Sequence, residues 1–300
     1  MKRTAALFLV FLIGVTLTFT ASWAADEEIS ELSEDASLEE LLRAGEQAAA
    51  KARNEKRTEE QLRKSIRIFE RVVELDPDNT RALEMLSLGY FTLAEAYLEE
   101  SRQKSAYEKG YEFGLRGLRA HEDFEEIYRE IGYPALKKLP DSVKDVEALF
   151  WTGANLGRLA ERKGVPEALN DNDLPALVTL NRRVLELEET YLGGGAHRNL
   201  GTIGAEVLDK LPLTFWQVRS NGFSWEKSKK HFEKAIEIAP GCLENYQVYA
   251  RYYALNRGKE EKALELLDEV LERPLGDKYP LVNEIAKRKA ESLKEKILDG

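Results

Sequence analysis

Cysteine and histidine are scarce in this chain, and their scarcity excludes several kinds of functional site. The 300 residues include one cysteine and three histidines. Cys242 has no partner for an intramolecular disulfide. The histidines, which we expect in different repeats, show no i, i+4 pair that could bring two ligands to one metal ion. No nucleophile-elbow serine and no GxGxxG run is present. The sequence therefore predicts no metal site, no cofactor, no redox function and no enzymatic activity.

Basic residues are also fewer than acidic residues in this chain. The chain carries 44 Lys and Arg residues against 54 Asp and Glu residues, which gives a net charge of -10 at neutral pH. A protein with this balance would repel nucleic acids and anionic membrane surfaces. We therefore expect no nucleic-acid partner.

The N-terminus has the pattern of a secretory signal. Lys2 and Arg3 precede an apolar run over residues 5–19, and a small residue, Ala24, ends the stretch. We predict a signal peptide over residues 1–24, cleaved after Ala24. The same stretch is just long enough to remain as an uncut membrane anchor. No cysteine near the cleavage site could carry a lipid.

The rest of the chain is predicted to be helical. Residues 25–36 are acidic with little apolar periodicity and predict a short flexible leader. In the chain as a whole, 43% hydrophobic and 33% charged residues suit long helices with a packed core and solvated outer faces. Capping-box spacings at Ser37 and Thr58 predict the starts of the first two helices, and Ser142 is a candidate cap for a later helix.

A helical repeat organises residues 37–300. Its clearest copy is Ser228, Phe232, Ala235 and Pro240, which have the spacing of a tetratricopeptide second helix. Weaker copies recur elsewhere, among them Ser65, Phe69, Val72 and Pro77, and the glycines Gly110, Gly114 and Gly117. We predict an all-α, tetratricopeptide-like helical-repeat solenoid of about five helical pairs, with a polar C-terminal helix that caps its open end. The three glycines indicate either close packing or an open groove.

Two departures from the repeat are candidate sites. The glycines at 193–195 lead into a helix N-terminus beside His197 and Arg198, where free amides and the helix dipole favour an anion such as a carboxylate. Alternatively, the glycines only end one helix and begin the next, with His197 packed in the repeat and Arg198 on the surface. An eleven-residue insertion over 212–222 carries Phe215 and Trp216, which either fold back on the body or contact a partner.

Three segments resemble a known family: FWTGANLGRLAERKG at 150–164, ETYLGGGAHRNLGTIGAEVLDKLP at 189–212 and KSKKHFEKAIEIAPGCLENY at 227–246. They are similar to the T component of tetratricopeptide-associated TRAP transporters. The resemblance implies an exported, periplasmic, all-helical protein that forms a homotrimer and associates with the solute-binding subunit of a TRAP transporter. It also implies a small hydrophobic or organic-acid ligand in a cavity or pore.

These observations together give a functional hypothesis with named residues. The chain is expected to be a non-enzymatic transport accessory, either soluble in the periplasm or held by its uncut N-terminal segment. A general periplasmic scaffold for protein–protein interactions is the alternative. The candidate ligand-binding residues are Trp151, Asn155, Tyr191, Gly194, His197 and Arg198, and the candidate partner-binding residues are Phe215 and Trp216.

The insertion generates a first prediction. If Trp216 contacts a neighbouring subunit, Trp216→Ala should weaken the assembly in sedimentation velocity while the helical circular dichroism stays unchanged, because an exposed contact is lost without loss of core. An oligomer of unaltered size would show that Trp216 folds back on its own subunit.

Overall fold

The computed structural model describes residues 36–55, 58–211 and 222–299, and within these ranges all regular structure is helical. Thirteen α-helices follow one another: α1 (Leu38–Ala50), α2 (Glu59–Leu75), α3 (Thr80–Tyr97), α4 (Glu100–Arg119), α5 (Glu122–Ile131), α6 (Val146–Lys163), α7 (Val165–Asn170), α8 (Asp173–Glu188), α9 (Gly195–Lys210), α10 (Trp225–Ile238), α11 (Leu243–Val248), α12 (Glu260–Glu272) and α13 (Pro280–Asp299). Two π-helical segments, Lys51–Glu55 and Tyr249–Ala254, continue α1 and α11. The predicted all-α fold is confirmed.

The predicted caps are present at the first two helices, and one later prediction is wrong. Ser37 and Glu40 form a complete capping box before α1, and the Thr58 side chain accepts a hydrogen bond from a backbone amide of α2. These contacts satisfy amides that have no partner in a first helical turn. At α6, however, the cap is Asp145 and not Ser142, because the Asp145 side chain accepts from the third residue of the helix.

The helices pack in the predicted five pairs. The pairs are α1 with α2, α3 with α4, α6 with α8, α9 with α10, and α11 with its π-helical continuation against α12. Phe69 and Phe232, the aromatic residues of two second helices, are fully buried. An additional helix, α5, and a 3-10 segment, Tyr133–Lys137, occupy the irregular connection before α6.

Two of the three glycines of α4, Gly110 and Gly114, are packed tightly, which favours close packing over an open groove on this face. A Cβ atom on Gly110 would lie closer than 3.0 Å to the Asn155 side chain, and one on Gly114 would lie closer than 3.0 Å to the hydroxyl oxygen of Thr152. The nearest atom to a Cβ on Gly117 would be 3.7 Å away, which is an ordinary contact. Gly110 and Gly114 therefore allow α4 to approach α6 closely.

The C-terminal helix packs on the last helical pair, as predicted, and it also returns to the beginning of the repeats. Helix α13 packs on α11 and α12, and it also contacts α3 and the π-helical segment that follows α1. Arg288 donates to the backbone oxygens of Glu95 at 3.0 Å and Ala96 at 3.1 Å, and Lys289 forms an ion pair with Glu95. We call this meeting of α13 with α3 the seam. It fixes the end of the chain against its second repeat.

The glycine contacts generate a matched pair of substitutions. Gly114→Ala should lower the free energy of unfolding by about 1–3 kcal/mol, because the new methyl group overlaps Thr152, including its backbone. Gly117→Ala should instead raise stability, by up to about 1 kcal/mol, because alanine is the better helix former and has room. Urea unfolding followed by circular dichroism measures both. Stabilisation by both substitutions would contradict close packing at Gly114.

Candidate functional site

Four aromatic side chains form a continuous chain between α3, α6 and the turn after α8. The ring centroids of Phe91 and Trp151 are 5.5 Å apart, those of Trp151 and Phe150 are 5.0 Å apart, and those of Phe150 and Tyr191 are 5.2 Å apart. This aromatic chain joins two of the predicted site residues, Trp151 and Tyr191. Trp151 is 8% exposed, so most of its ring is packed against protein.

Asn155 lies one helical turn beyond Trp151 and is fully buried. Its side-chain amide donates to the backbone oxygens of Trp151 at 2.9 Å and Ser87 at 3.1 Å, and to the Ser87 hydroxyl at 3.2 Å. The side-chain oxygen of Asn155 has no hydrogen-bond partner among the described residues. Asn155 thus holds α6 on α3, and it supports Trp151 from the next turn.

The glycine run forms the turn between α8 and α9. Leu192, Gly193 and Gly194 have φ angles of 47°, 66° and 79°, which is the left-handed region that favours glycine. A Cβ atom on Gly194 would lie 3.0 Å from the Cα atom of Ala235. Glycine is therefore required twice here, for the turn itself and for the close approach of α9 to α10.

Arg198 is buried and already paired. It is 7% exposed, so the interpretation that placed it on the surface is wrong. Its guanidinium donates to Asn245 Oδ1 at 2.7 Å and forms an ion pair with Glu244 at 2.9 Å. The Asn245 amide in turn donates to the Gly193 carbonyl oxygen at 3.1 Å. A carboxylate ligand at this helix N-terminus would compete with Glu244, and the anion site stays a prediction.

Two histidines that we expected in different repeats meet within one helical pair. His197 on α9 and His231 on α10 approach with their Nδ1 atoms 2.8 Å apart, and His197 Nε2 lies 2.9 Å from Glu189 Oε1. Burial and the neighbouring His197 lower the pKa of His231 to about 4. The His231 ring is therefore neutral at pH 7, and it can donate from Nδ1 to His197 or accept there.

The sequence carries one signal for this contact. Phe232, the repeat aromatic, packs against α9, the first helix of its own pair. His231 directly precedes Phe232, so it lies next to the face of α10 that meets α9.

Within the described ranges, no group of three or more His, Cys, Asp or Glu side chains could hold a metal ion.

Carboxyl groups that sequence reasoning did not identify lie beside the aromatic chain. Glu84 on α3 is 9% exposed and faces Asp145 and Glu147 at the start of α6. Burial and a hydrogen bond with Asp145 raise the pKa of Glu84 to about 9, against the opposing effect of Arg81. Burial and the nearby Glu147 likewise raise the pKa of the Tyr191 phenol. Glu84 is therefore protonated at neutral pH.

A buried ion network lies at the seam, beyond the other end of the aromatic chain. Glu95 accepts hydrogen bonds from Arg158 Nε and from the Tyr107 hydroxyl, both at 2.6 Å, and it also pairs with Lys289. Burial alone would raise the pKa of Glu95, but Arg158 and Lys289 outweigh it and hold that pKa well below its usual range.

A second carboxylate, Glu161, extends this network to the last repeat. It accepts from Arg158 at 3.0 Å, from Arg251 at 2.7 Å and from the Tyr252 hydroxyl at 2.8 Å. The Arg158 guanidinium therefore bridges two carboxylates. The seam network thus connects α3, α4, α6, the π-helical segment Tyr249–Ala254 and α13.

Residues 66–299 match the sequence profile of the family described as TRAP transporter T-component. The chain belongs to this family. The match covers the aromatic chain, the glycine turn and the seam, so it includes all the described candidate residues. The crystal structure of MamA is also similar to the chain, with 16% sequence identity, coverage of 82% of this chain and 95% of MamA, and a TM-score of 0.37.

Some expectations fall on segments outside the described residues. They are the signal peptide at 1–24, most of the leader at 25–36, and the aromatic pair Phe215 and Trp216. Of the helices that are described, none is both long enough and apolar enough to cross a membrane.

The protonated carboxyl group at Glu84 generates a pH prediction. Because its pKa is raised on folding, the stability that Glu84 contributes is greatest at acidic pH and declines as the pH rises from about 4.5 towards 9. Glu84→Gln keeps the neutral shape without the titration. The difference in Tm between Glu84→Gln and the parent should therefore grow in favour of the variant between pH 5 and pH 9.

A surface substitution provides the control for this measurement. Glu108→Gln removes a carboxylate that pairs with Lys104 on the exposed face of α4 at 3.7 Å. It shows how much the loss of one exposed negative charge changes the Tm over the same pH range. A Tm difference for Glu84→Gln that stays constant from pH 5 to pH 9 would contradict a neutral Glu84.

Proposed function

We propose that the chain is a non-enzymatic accessory subunit of a TRAP-type solute transporter and binds the transporter's solute-binding subunit in the periplasm. The observation that carries this proposal is the match of residues 66–299 to the T-component family. A repeat architecture suits the role, because stacked helical pairs present extended surfaces to partner proteins. Export through the N-terminal signal and cleavage after residue 24 belong to the same proposal.

The chemistry of the candidate site supports a binding role without catalysis. Arg198 is paired with Glu244, and His231 is in contact with His197, which also reaches Glu189. Arg198 and both ring nitrogens of His197 thus have protein partners. A general base needs an open approach to the proton that it takes, and at His197 these contacts occupy that position.

The proposed ligand is a small hydrophobic molecule or an organic acid. Trp151 and Tyr191 supply an apolar, aromatic contact, with Asn155 holding Trp151 in place. A carboxylate would be repelled from the end of the aromatic chain that carries Asp145 and Glu147. The carboxylate of an acidic ligand is proposed to contact Gly194, His197 and Arg198, where it would compete with Glu189 and Glu244, and its apolar part is proposed to contact the aromatic chain.

Assembly completes the proposal. The subunit is proposed to form a homotrimer, in which Phe215 and Trp216 contact a neighbouring subunit or the solute-binding subunit. A general periplasmic scaffold remains the alternative, since helical repeats of this type also bind unrelated peptides and envelope proteins. The two functions differ in the partner that they require.

Recovery of the partner distinguishes these functions. The mature chain, tagged at its C-terminus, should enrich a TRAP solute-binding subunit from periplasmic extract over a tag-only control, with identification by mass spectrometry. The transporter function requires that specific protein. Recovery of other envelope proteins without any solute-binding subunit would contradict the transporter function and favour the scaffold.

A further inference from the structure

The seam carries a local excess of positive charge in a chain whose net charge is -10. The ion network there joins Arg158, Arg251 and Lys289 to two carboxylates, Glu95 and Glu161. Two more arginines, Arg162 and Arg288, lie beside the network. In the part of the chain that the structure describes, their hydrogen bonds go to neutral oxygens. These five basic side chains outnumber the two carboxylates that the network contains.

Two of these arginines lie over tyrosine rings. The Arg162 guanidinium lies 4.8 Å from the centroid of the Tyr107 ring, and the Arg251 guanidinium lies 4.7 Å from that of Tyr252. Gln103 accepts from Arg162 at 2.7 Å. A cation–π contact of this kind restricts the arginine side chain, so less conformational freedom is lost when the group binds a carboxylate.

Both guanidinium groups retain hydrogen-bonding capacity. An arginine has five N–H donors. Among the described contacts, Arg251 uses one of them for Glu161, and its side chain is 43% exposed. Arg162 uses donors for Gln103 and for the Arg158 carbonyl oxygen, and it too is exposed. The remaining N–H groups can form paired hydrogen bonds with an incoming carboxylate.

The third exposed arginine, Arg288, holds α13 against α3. Arg288 on α13 donates to the last carbonyl groups of α3, next to the ion pair between Lys289 and Glu95. A cation there interacts favourably with the C-terminal end of the α3 dipole. Arg288 therefore keeps α13 at the seam, and it adds a positive charge next to the Glu95 end of the network.

We propose that the exposed side of the seam network is a docking surface for an acidic face of a protein partner, with Arg162 on α6 and Arg251 on the π-helical segment Tyr249–Ala254 as its carboxylate-binding side chains. A protein fits better than a small acid, because the two arginines come from different elements and stand on an exposed surface. Complementary charge of this kind accelerates association and selects acidic partners. The surface is distinct from the proposed ligand-contact residues, and its test does not require the solute-binding subunit.

A fluorescein-labelled decaglutamate peptide is the probe for this surface. The full mature chain should bind the peptide in fluorescence anisotropy at low ionic strength, and the affinity should fall as salt is added. Arg162→Gln/Arg251→Gln should weaken binding about tenfold. Lys230→Gln/Lys262→Gln, which removes the same charge from exposed pairs with Glu226 and Glu265, should change it less than about twofold.

The variant Arg162→Lys/Arg251→Lys keeps both positive charges but loses the planar, forked guanidinium groups. It therefore tests whether binding depends on that fork geometry or on charge alone. It should bind with intermediate affinity, because lysine keeps the charge but cannot form paired hydrogen bonds from a fixed plane. Circular dichroism and Tm confirm that each variant is folded. The proposal is overturned if the parent does not bind the peptide, or if the seam variant and the Lys230/Lys262 variant lose affinity equally. If the lysine variant binds the peptide as tightly as the parent does, paired hydrogen bonds from the guanidinium groups do not contribute to binding.

Discussion

The buried carboxylate of Glu95 sets a constraint on the whole architecture, because it must be paired. An isolated carboxylate in a protein interior carries a desolvation penalty of several kcal/mol, and removal of one member of such a pair typically costs about 3–5 kcal/mol. Arg158, Tyr107 and Lys289 meet this requirement from three different helices. Lys289 can reach Glu95 because the last helix returns to the second repeat. That return places the end of the chain on α3 and defines the seam.

The apolar core and the ion network stabilise the fold in different ways. Each helical pair buries its own aromatic and aliphatic residues, as at Phe69 and Phe232. Burial of this kind is strong but non-directional. The hydrogen bonds and ion pairs of Glu95 and Glu161 depend on direction, so they select one arrangement of the repeats. Specificity of register is the best-attested role of buried polar groups.

Close backbone approach shapes the candidate site. The glycine turn lets α9 reach α10, and this approach brings His197 to His231 and Arg198 to Glu244. Charged groups that a free helix N-terminus would offer to a ligand are thereby engaged with protein partners. The aromatic chain between Phe91 and Tyr191 remains the apolar part of the site. Its Tyr191 end lies close to Glu147 and to the glycine turn that precedes Arg198, and its Phe91 end leads through Tyr107 to the seam network.

The sequence by itself determined the features that depend on neighbours within a turn or two of helix. Capping at Ser37 and Thr58, the burial of Phe69 and Phe232, and the five helical pairs follow from local spacing, which reflects the period of a helix. The tertiary structure decided the contacts between distant residues, such as Lys289 with Glu95 at a separation of 194 residues, and His197 with His231. The protonation of Glu84 beside Asp145 belongs to the same class. These contacts depend on how repeats stack and where the chain returns, and helix periodicity carries no information about either.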